Sequence, residues 1–381
     1  MTLAVLQVGA FPFPLGQGSQ VYVGGMCGAL AAAGARVWLA SYGGEGAWPA
    51  GVERVPMLRL NALQSPRSGP HAGKLLLDAA LATSVARVLA RERVDVVHAH
   101  NVEAPFVAAL ARALSAARVP LVYNLHTSLE EELPAYWPRG LAGKVARPLG
   151  CAVDHAIPRM ADACVALSER AEAHLRAHGA RRVVRIAPGV NVDELRGGDA
   201  ARARARWGLD DRDWVLYTGN TDAYQDLDLL MEAMHHVPDA GLLMASSAPP
   251  EEVWAYVDAA RLPRERVRLA PVLGLPDLAD ALSVGAIAAV PRRVCAGFPI
   301  KLLNTLGAGV VTVVAAGSAQ PIVGCVRAAD TPPAFGRVLR ACLAEPDRLL
   351  ALGREARVEV ASKWSWAARA TELLQFYETL R

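Results

Sequence analysis

Val183-Val184-Arg185-Ile186-Ala187-Pro188-Gly189-Val190-Asn191-Val192-Asp193 closes one series of strands and precedes another, and the fold turns on reading it as a seam. The β-branched run at its start reads as a strand, Pro188 and Gly189 end it, and the polar, arginine-rich stretch 196–206 follows. Before the seam, apolar runs at 3–8, 36–41, 94–99, 121–124 and 163–167 alternate with Ala-rich amphipathic segments at 20–33, 75–91 and 105–116. After it the alternation restarts, with strands expected at 214–218, 241–245, 267–269, 286–290 and 310–314 and helices at 226–235 and 276–282. Strands that are apolar throughout and separated by helices are the mark of parallel sheets covered on both faces. The expected fold is α/β: two Rossmann-like, doubly wound parallel-sheet domains facing across a cleft, spanning 1–190 and 213–362 with a linker at 191–212. Residues 363–381 carry Trp366, Leu373, Leu374, Phe376, Tyr377 and Leu380 at helical spacing and read as a closing amphipathic helix.

Bulk properties agree with two domains and exclude several classes. At 381 residues the chain exceeds what one core usually serves. Hydrophobic residues at 53% and charged residues at 20% rule out a disordered chain. A net charge of +3 without a dense Lys/Arg run argues against nucleic acid as a partner. The start, Met1-Thr2-Leu3-Ala4-Val5-Leu6-Gln7-Val8, lacks the organisation of a signal peptide, and no apolar run reaches the roughly 20 residues of a membrane span, so a cytoplasmic location is expected. The six cysteines have neither paired nor metal-type spacing, so no metal site and no disulfide framework is expected.

Ligands of doubly wound sheets bind beyond the carboxyl ends of the strands, so the loops there carry the functional reading. The first, Leu15-Gly16-Gln17-Gly18-Ser19, opens into a helix, where amides at Gly16 and Gly18 suit a phosphate or a sugar hydroxyl; the plainer reading is a tight turn. The dinucleotide fingerprint fails, because Val21 stands at its third glycine and no acid ends the second strand. His98-Ala99-His100-Asn101 and Leu125-His126-Thr127-Ser128 bring histidines to strand ends. His126 is the candidate for substrate contact or acid–base work, and His98 and His100 read as loop anchors. Tyr217-Thr218-Gly219-Asn220 makes a second strand–turn–helix start. In Pro291-Arg292-Arg293 and Gly297-Phe298-Pro299-Ile300-Lys301-Leu302-Leu303-Asn304, the cations Arg292 and Lys301 flank one helix start and together suit a diphosphate. A basic, amphipathic stretch at 139–159 makes contact with an anionic membrane face conceivable, but Pro148 and Pro158 interrupt it and favour a helix packed on its own domain.

Taken in order, the early glycine loop, Ile186-Ala187-Pro188-Gly189-Val190-Asn191, Tyr217-Thr218-Gly219-Asn220, Gly297-Phe298-Pro299 running into Leu302-Leu303-Asn304 and Gly307-Ala308-Gly309, and the Trp-containing closing helix resemble the retaining glycosyltransferases of the GT-B fold, family 4. The likeness covers nearly the whole chain. It implies an acceptor-binding N-domain, a C-domain binding a nucleotide-sugar donor, and a last helix that crosses back to the N-domain. It also implies transfer of a hexose-type sugar to a hydroxyl on a lipid-linked or polysaccharide precursor, with retention, without metal and without any cofactor beyond the donor substrate. His126 resembles the histidine that contacts the donor sugar, and Gly16 to Gly18 the loop near the donor phosphates. Pro271 and Val272 look like the segment whose backbone reads the base; Gly219, Asn220, Gly297, Phe298, Ile300 and Asn304 fall in donor-binding stretches.

Two departures stand against this pattern. Ala296 and Asn304 occupy the places of the family's paired glutamates, and Thr221, Asp222 and Gln225 stand where its usual Arg and Lys follow the first C-domain strand. Arg292 and Lys301 are therefore expected to take the diphosphate, and Asn304 a ribose hydroxyl. The competing expectation is a nucleotide-sugar-binding or partner-binding protein that kept the fold and lost the chemistry. An epimerase of the same architecture would need acid–base residues that the sequence does not supply.

Overall fold

The computed structural model describes residues 2–14, 18–58, 73–136, 140–295 and 297–381, with the side chains of 135, 136 and 140–143 left aside. The chain divides into two compact units: Met1–Gly189 with Ala296–Phe298 and Trp366–Arg381, and Val190–Cys295 with Pro299–Ser365. Each is built on one wholly parallel sheet.

In the first unit the strands are β1 (Ala4–Gly9), β2 (Arg36–Ala40), β3 (Val52–Arg54), β4 (Val96–His100), β5 (Leu121–Leu125), β6 (Ala163–Ala166) and β7 (Val183–Arg185), in the order β3-β2-β1-β4-β5-β6-β7. Every residue of β1, β4, β5 and β6 is buried, which is why they read as mainly apolar runs, broken only by Gln7, His98, His100 and Asn124. The direction of strand order reverses at β1/β4, where ligands of such sheets bind. Helix α1 (Gly18–Ala32) follows β1, and its Gly25 backs onto the indole of Trp366 in the closing helix, Trp366–Glu378. In the second unit the strands are β8 (Trp214–Thr218), β9 (Gly241–Ser246), β10 (Val267–Pro271), β11 (Ile287–Val290), β12 (Thr312–Ala315) and β13 (Cys325–Ala328), in the order β10-β9-β8-β11-β12-β13. Its core includes Tyr217, Leu229, Met231, Leu242, Val313 and Phe335.

Three sequence expectations change. The edge strands β3 and β13 carry half-exposed or exposed residues and no continuous apolar run, so nothing in the local pattern marks them. The stretch 191–212 is not a bare connection: it holds a 3-10 turn at Val192–Leu195 and a helix at Ala200–Trp207. That helix is capped by Asp199 and tied by Arg202 and Arg206 to Asp280 and Asp277 within the second unit. Pro148 and Pro158 do not interrupt their segment; one helix, Gly140–Met160, runs through both, burying Ala146 and Ile157 while Arg147 stays exposed.

That long helix also caps a neighbouring helix start in the same unit. The start of the acidic helix Leu129–Tyr136, just beyond His126, is filled by the buried Asp154 carboxylate, which accepts from Ser128 Oγ at 2.7 Å and from the amides of Leu129 at 3.1 Å and Glu130 at 3.0 Å. Burial opposes ionisation, but the His174 ring and these donors outweigh it and hold Asp154 below the usual carboxylate range. Asp154→Ala leaves three donors unmet and is expected to lower the unfolding free energy by about 3 kcal/mol, measurable by urea denaturation.

Candidate active site

In the second unit the site grows from the carboxyl ends of β8 and β11. Gly219 ends β8 with φ +137°, a conformation glycine adopts without strain, and its amide still pairs with Ala245 O at 3.1 Å. The turn beyond is a closed mesh. Asn220 Nδ2 donates to Asp222 Oδ2 at 2.6 Å and to Tyr224 Oη at 3.2 Å, Gln225 Nε2 donates to Asn220 Oδ1 at 2.8 Å, and Tyr217 Oη donates to Asn220 O at 2.7 Å. Asn220 is thus fully engaged and holds the turn's shape.

Into this mesh runs Lys301, second residue of the helix Ile300–Gly307. Its ammonium donates to Gln225 Oε1 at 2.7 Å and Tyr217 Oη at 3.2 Å, and lies 4.6 Å from the centre of the Tyr217 ring. Both oxygens are neutral, and no carboxylate among the described residues lies within ion-pair distance of it. Arg292 stacks on Tyr224 at 4.7 Å and donates from Nε to Val294 O at 2.7 Å. Burial, followed by the like charge of Arg292, pushes Lys301 down to about 7. The residue keeps some exposed surface, but its ammonium is ringed by protein. The neighbouring Arg293 is engaged elsewhere, by Asp226 and Asp228 at 3.0 Å each.

The remaining candidates differ in what they offer. Asn304, one turn after Lys301, is half-buried and has no side-chain hydrogen bond among the described residues. Ile300 is half-buried and Phe298 buried. Pro271 ends β10 exposed, and the Val272 amide pairs with Ser246 O at 3.1 Å. Gly16 and Ala296 lie outside the described residues. Gly18 is exposed, with open space where a Cβ would stand. Among the described residues no group of three or more His, Cys, Asp or Glu is placed to hold a metal ion.

In the first unit His98 and His100 sit on β4 itself, fully buried, rather than in the loop that sequence assigned them to. His126 follows β5, half-buried, and Tyr22 of α1 meets its ring edge-on at 4.8 Å. Gly297 belongs to this unit too: a Cβ there would stand 2.1 Å from His126 O, so the peptide before Pro299 lies directly on the histidine's backbone. Burial pushes His126 and His98 down to about 3, the latter helped by His126, and lowers His100 well below its usual value. Gln225 and Tyr217, which hold Lys301, and Tyr377, which reaches His98, were not read from sequence as partners of these residues; their contacts depend on pairings of distant segments.

The chain is similar to known proteins in sequence and in fold. The sequence model described as Glycosyltransferase Family 4 matches residues 16–194. D-inositol 3-phosphate glycosyltransferase 1 of Catenulispora acidiphila is 31% identical over 309 residues, 75% of this chain and 72% of that protein. The chain belongs to glycosyltransferase family 4. Among solved structures, sucrose-phosphate synthase from Thermosynechococcus elongatus superposes on this family 4 glycosyltransferase with TM-score 0.80 at 19% identity, covering 99% of each chain. Anabaena HepE in complex with UDP-glucose does so with TM-score 0.75 at 14% identity, covering 99% of this chain and 100% of that one. These likenesses establish the GT-B fold of this family 4 glycosyltransferase.

Gly219 sets the position of the lysine in this glycosyltransferase. A Cβ there would stand 2.6 Å from Lys301 Nζ and 3.2 Å from Tyr217 Oη. Gly219→Ala therefore displaces the ammonium from both oxygens and forces a non-glycine residue into left-handed backbone. The expected result is a donor affinity about tenfold weaker and a stability loss of about 1–2 kcal/mol, read by calorimetric titration and thermal unfolding.

Proposed function

We propose that this glycosyltransferase moves a sugar from a nucleoside-diphosphate donor to a hydroxyl acceptor, with retention and without a metal ion. The observation that carries the reading is Lys301: a cation enclosed by protein, held by neutral oxygens, beside a second cation and at a helix start. Such an arrangement is costly alone and favourable once a polyanion arrives. In the reaction the C1–O bond to the diphosphate breaks while the acceptor oxygen bonds C1 on the same face. The hydroxyl proton passes to the departing phosphate oxygen. Lys301, Arg292 and the first amides of Ile300–Gly307 stabilise the charge that develops there, the part of a barrier that fixed electrostatics lowers most. Asn304 is the side chain for a ribose hydroxyl and His126 for the sugar. HepE, with its bound UDP-glucose, supports a nucleotide-sugar donor.

Thermal unfolding in the presence of UDP, GDP, dTDP or ADP identifies the base, since a ligand of the native state raises the midpoint. NMR of the product's anomeric proton then reads stereochemistry, and turnover in EDTA reads metal use. An inverted anomer or loss of turnover in EDTA would refute those parts of the proposal.

A further inference from the structure

Beneath His126 runs a chain of buried polar groups that glycosyl transfer as described above leaves unused. His100 Nδ1 lies 3.1 Å from His126 Nε2, and His100 Nε2 lies 2.6 Å from Gln7 Oε1. Gln7 Nε2 donates to Tyr377 Oη at 3.2 Å, and Tyr377 Oη meets His98 Nδ1. Gln7, His98, His100 and Tyr377 are at most 1% exposed, and the rings of His98 and His100 stack at 4.5 Å. The sheet puts them together: Gln7 pairs with His98 in the β1/β4 register, and His98 and His100 share one face of β4. Tyr377 comes from the closing helix, 279 residues from His98.

The direction of the protons from Gln7 to His126 follows from the chemistry of the groups. Gln7 Oε1 only accepts, so His100 Nε2 carries a hydrogen. A neutral His100 then has a bare Nδ1, which accepts, so His126 Nε2 must be the donor. At the other end Tyr377 Oη accepts from Gln7 and shares a hydrogen with His98 Nδ1, where either group can be the donor. We infer that His100 is a positioning residue that, through Gln7 and Tyr377, fixes His126 with its proton on Nε2 and presents Nδ1 as a hydrogen-bond acceptor to the ligand. Burial of all three imidazoles keeps them neutral near pH 7, as this directed chain requires. Nδ1 of His126 makes no hydrogen bond among the described residues. A sugar hydroxyl fits it, because an O–H can donate; a phosphate oxygen does not, because it has no proton to give.

The inference rests on the proposed sugar transfer for its catalytic meaning but not for its test. With the full chain labelled with ¹⁵N-histidine, long-range proton–nitrogen spectra should show His126 protonated on Nε2, with a proton that exchanges slowly with water. His100→Phe should make that proton exchange rapidly and lower kcat roughly tenfold with the donor KM within twofold. His100→Asn, whose carbonyl can take the place of Nδ1, should restore part of both. A His126 protonated on Nδ1 in the wild-type protein would overturn the inference whether or not any variant folds. So would a slowly exchanging proton that survives His100→Phe, or an unchanged kcat in that variant. Failure of the wild-type protein to turn over any donor would count against sugar transfer and leave the spectra to decide the tautomer.

Discussion

Lys301→Ala should lower kcat/KM for the sugar-nucleotide donor by about 10²–10³-fold, the largest effect of any single substitution in the site. Removing one fixed donor from a developing anion commonly costs this much. Here the donor is an amine held in place before the ligand arrives, by Gln225 at 2.7 Å and Tyr217 at 3.2 Å, and fully charged once the diphosphate is bound. Little reorganisation is needed when the diphosphate leaves. Arg292→Ala should cost less, about tenfold, because the guanidinium is stacked on Tyr224 and tied to Val294 O, so it contributes field more than contact. Steady-state kinetics of both variants separate the roles. Equal turnover and donor affinity in wild-type and Lys301→Ala protein would remove the diphosphate from this helix start.

Acid should weaken the first unit well before its carboxylates protonate. His98 is held neutral at about 3, His126 likewise, and His100 is lowered further by its neighbours. Unfolded histidine titrates near 6.5, so below that pH the unfolded chain binds protons that the native fold refuses. The stability these groups hold is complete above pH 6.5 and is lost as pH falls from there towards 3. Between pH 7.5 and 5.0, His98 alone accounts for about 2 kcal/mol, and the other two act in the same direction. Asp154 and Asp280, both held below the ordinary carboxylate value, begin to matter only at lower pH. Urea denaturation at the two pH values measures the loss. His98→Phe, which removes one titrating ring, should flatten the dependence, and equal midpoints at both pH values in the wild-type protein would show that the histidines are not buried neutral.

How much of this was legible before the structure depended on how local each feature is. β8 matches its expected residues from end to end because both faces of that strand are covered, so its apolar run is unbroken. β3 and β13 lie at sheet edges, where one row of neighbours suffices and a polar sequence is tolerated. Lys301 stood out as a cation in an apolar helix start. Its holders Gln225 and Tyr217 did not, because they reach it from 76 and 84 residues away. The histidines of β4 were visible as residue types, but their burial and their link to Tyr377 are products of sheet register and of where the closing helix packs. Asp154 shows the same limit: the helix start beyond His126 is occupied by a carboxylate 24 residues further along the chain than the nearest amide it caps.

Lys301 at about 7 is largely neutral in the free enzyme at pH 8, and a bound diphosphate restores its charge. The nucleotide's own phosphates are fully ionised at that pH and contribute no proton. Calorimetric titration of the cognate nucleoside diphosphate at pH 8, in two buffers of different ionisation enthalpy, should therefore report uptake of about one proton per nucleotide in the wild-type enzyme and none in Lys301→Ala. A binding heat independent of buffer in the wild-type enzyme, or the same proton uptake after Lys301 is removed, would show that the diphosphate is held elsewhere.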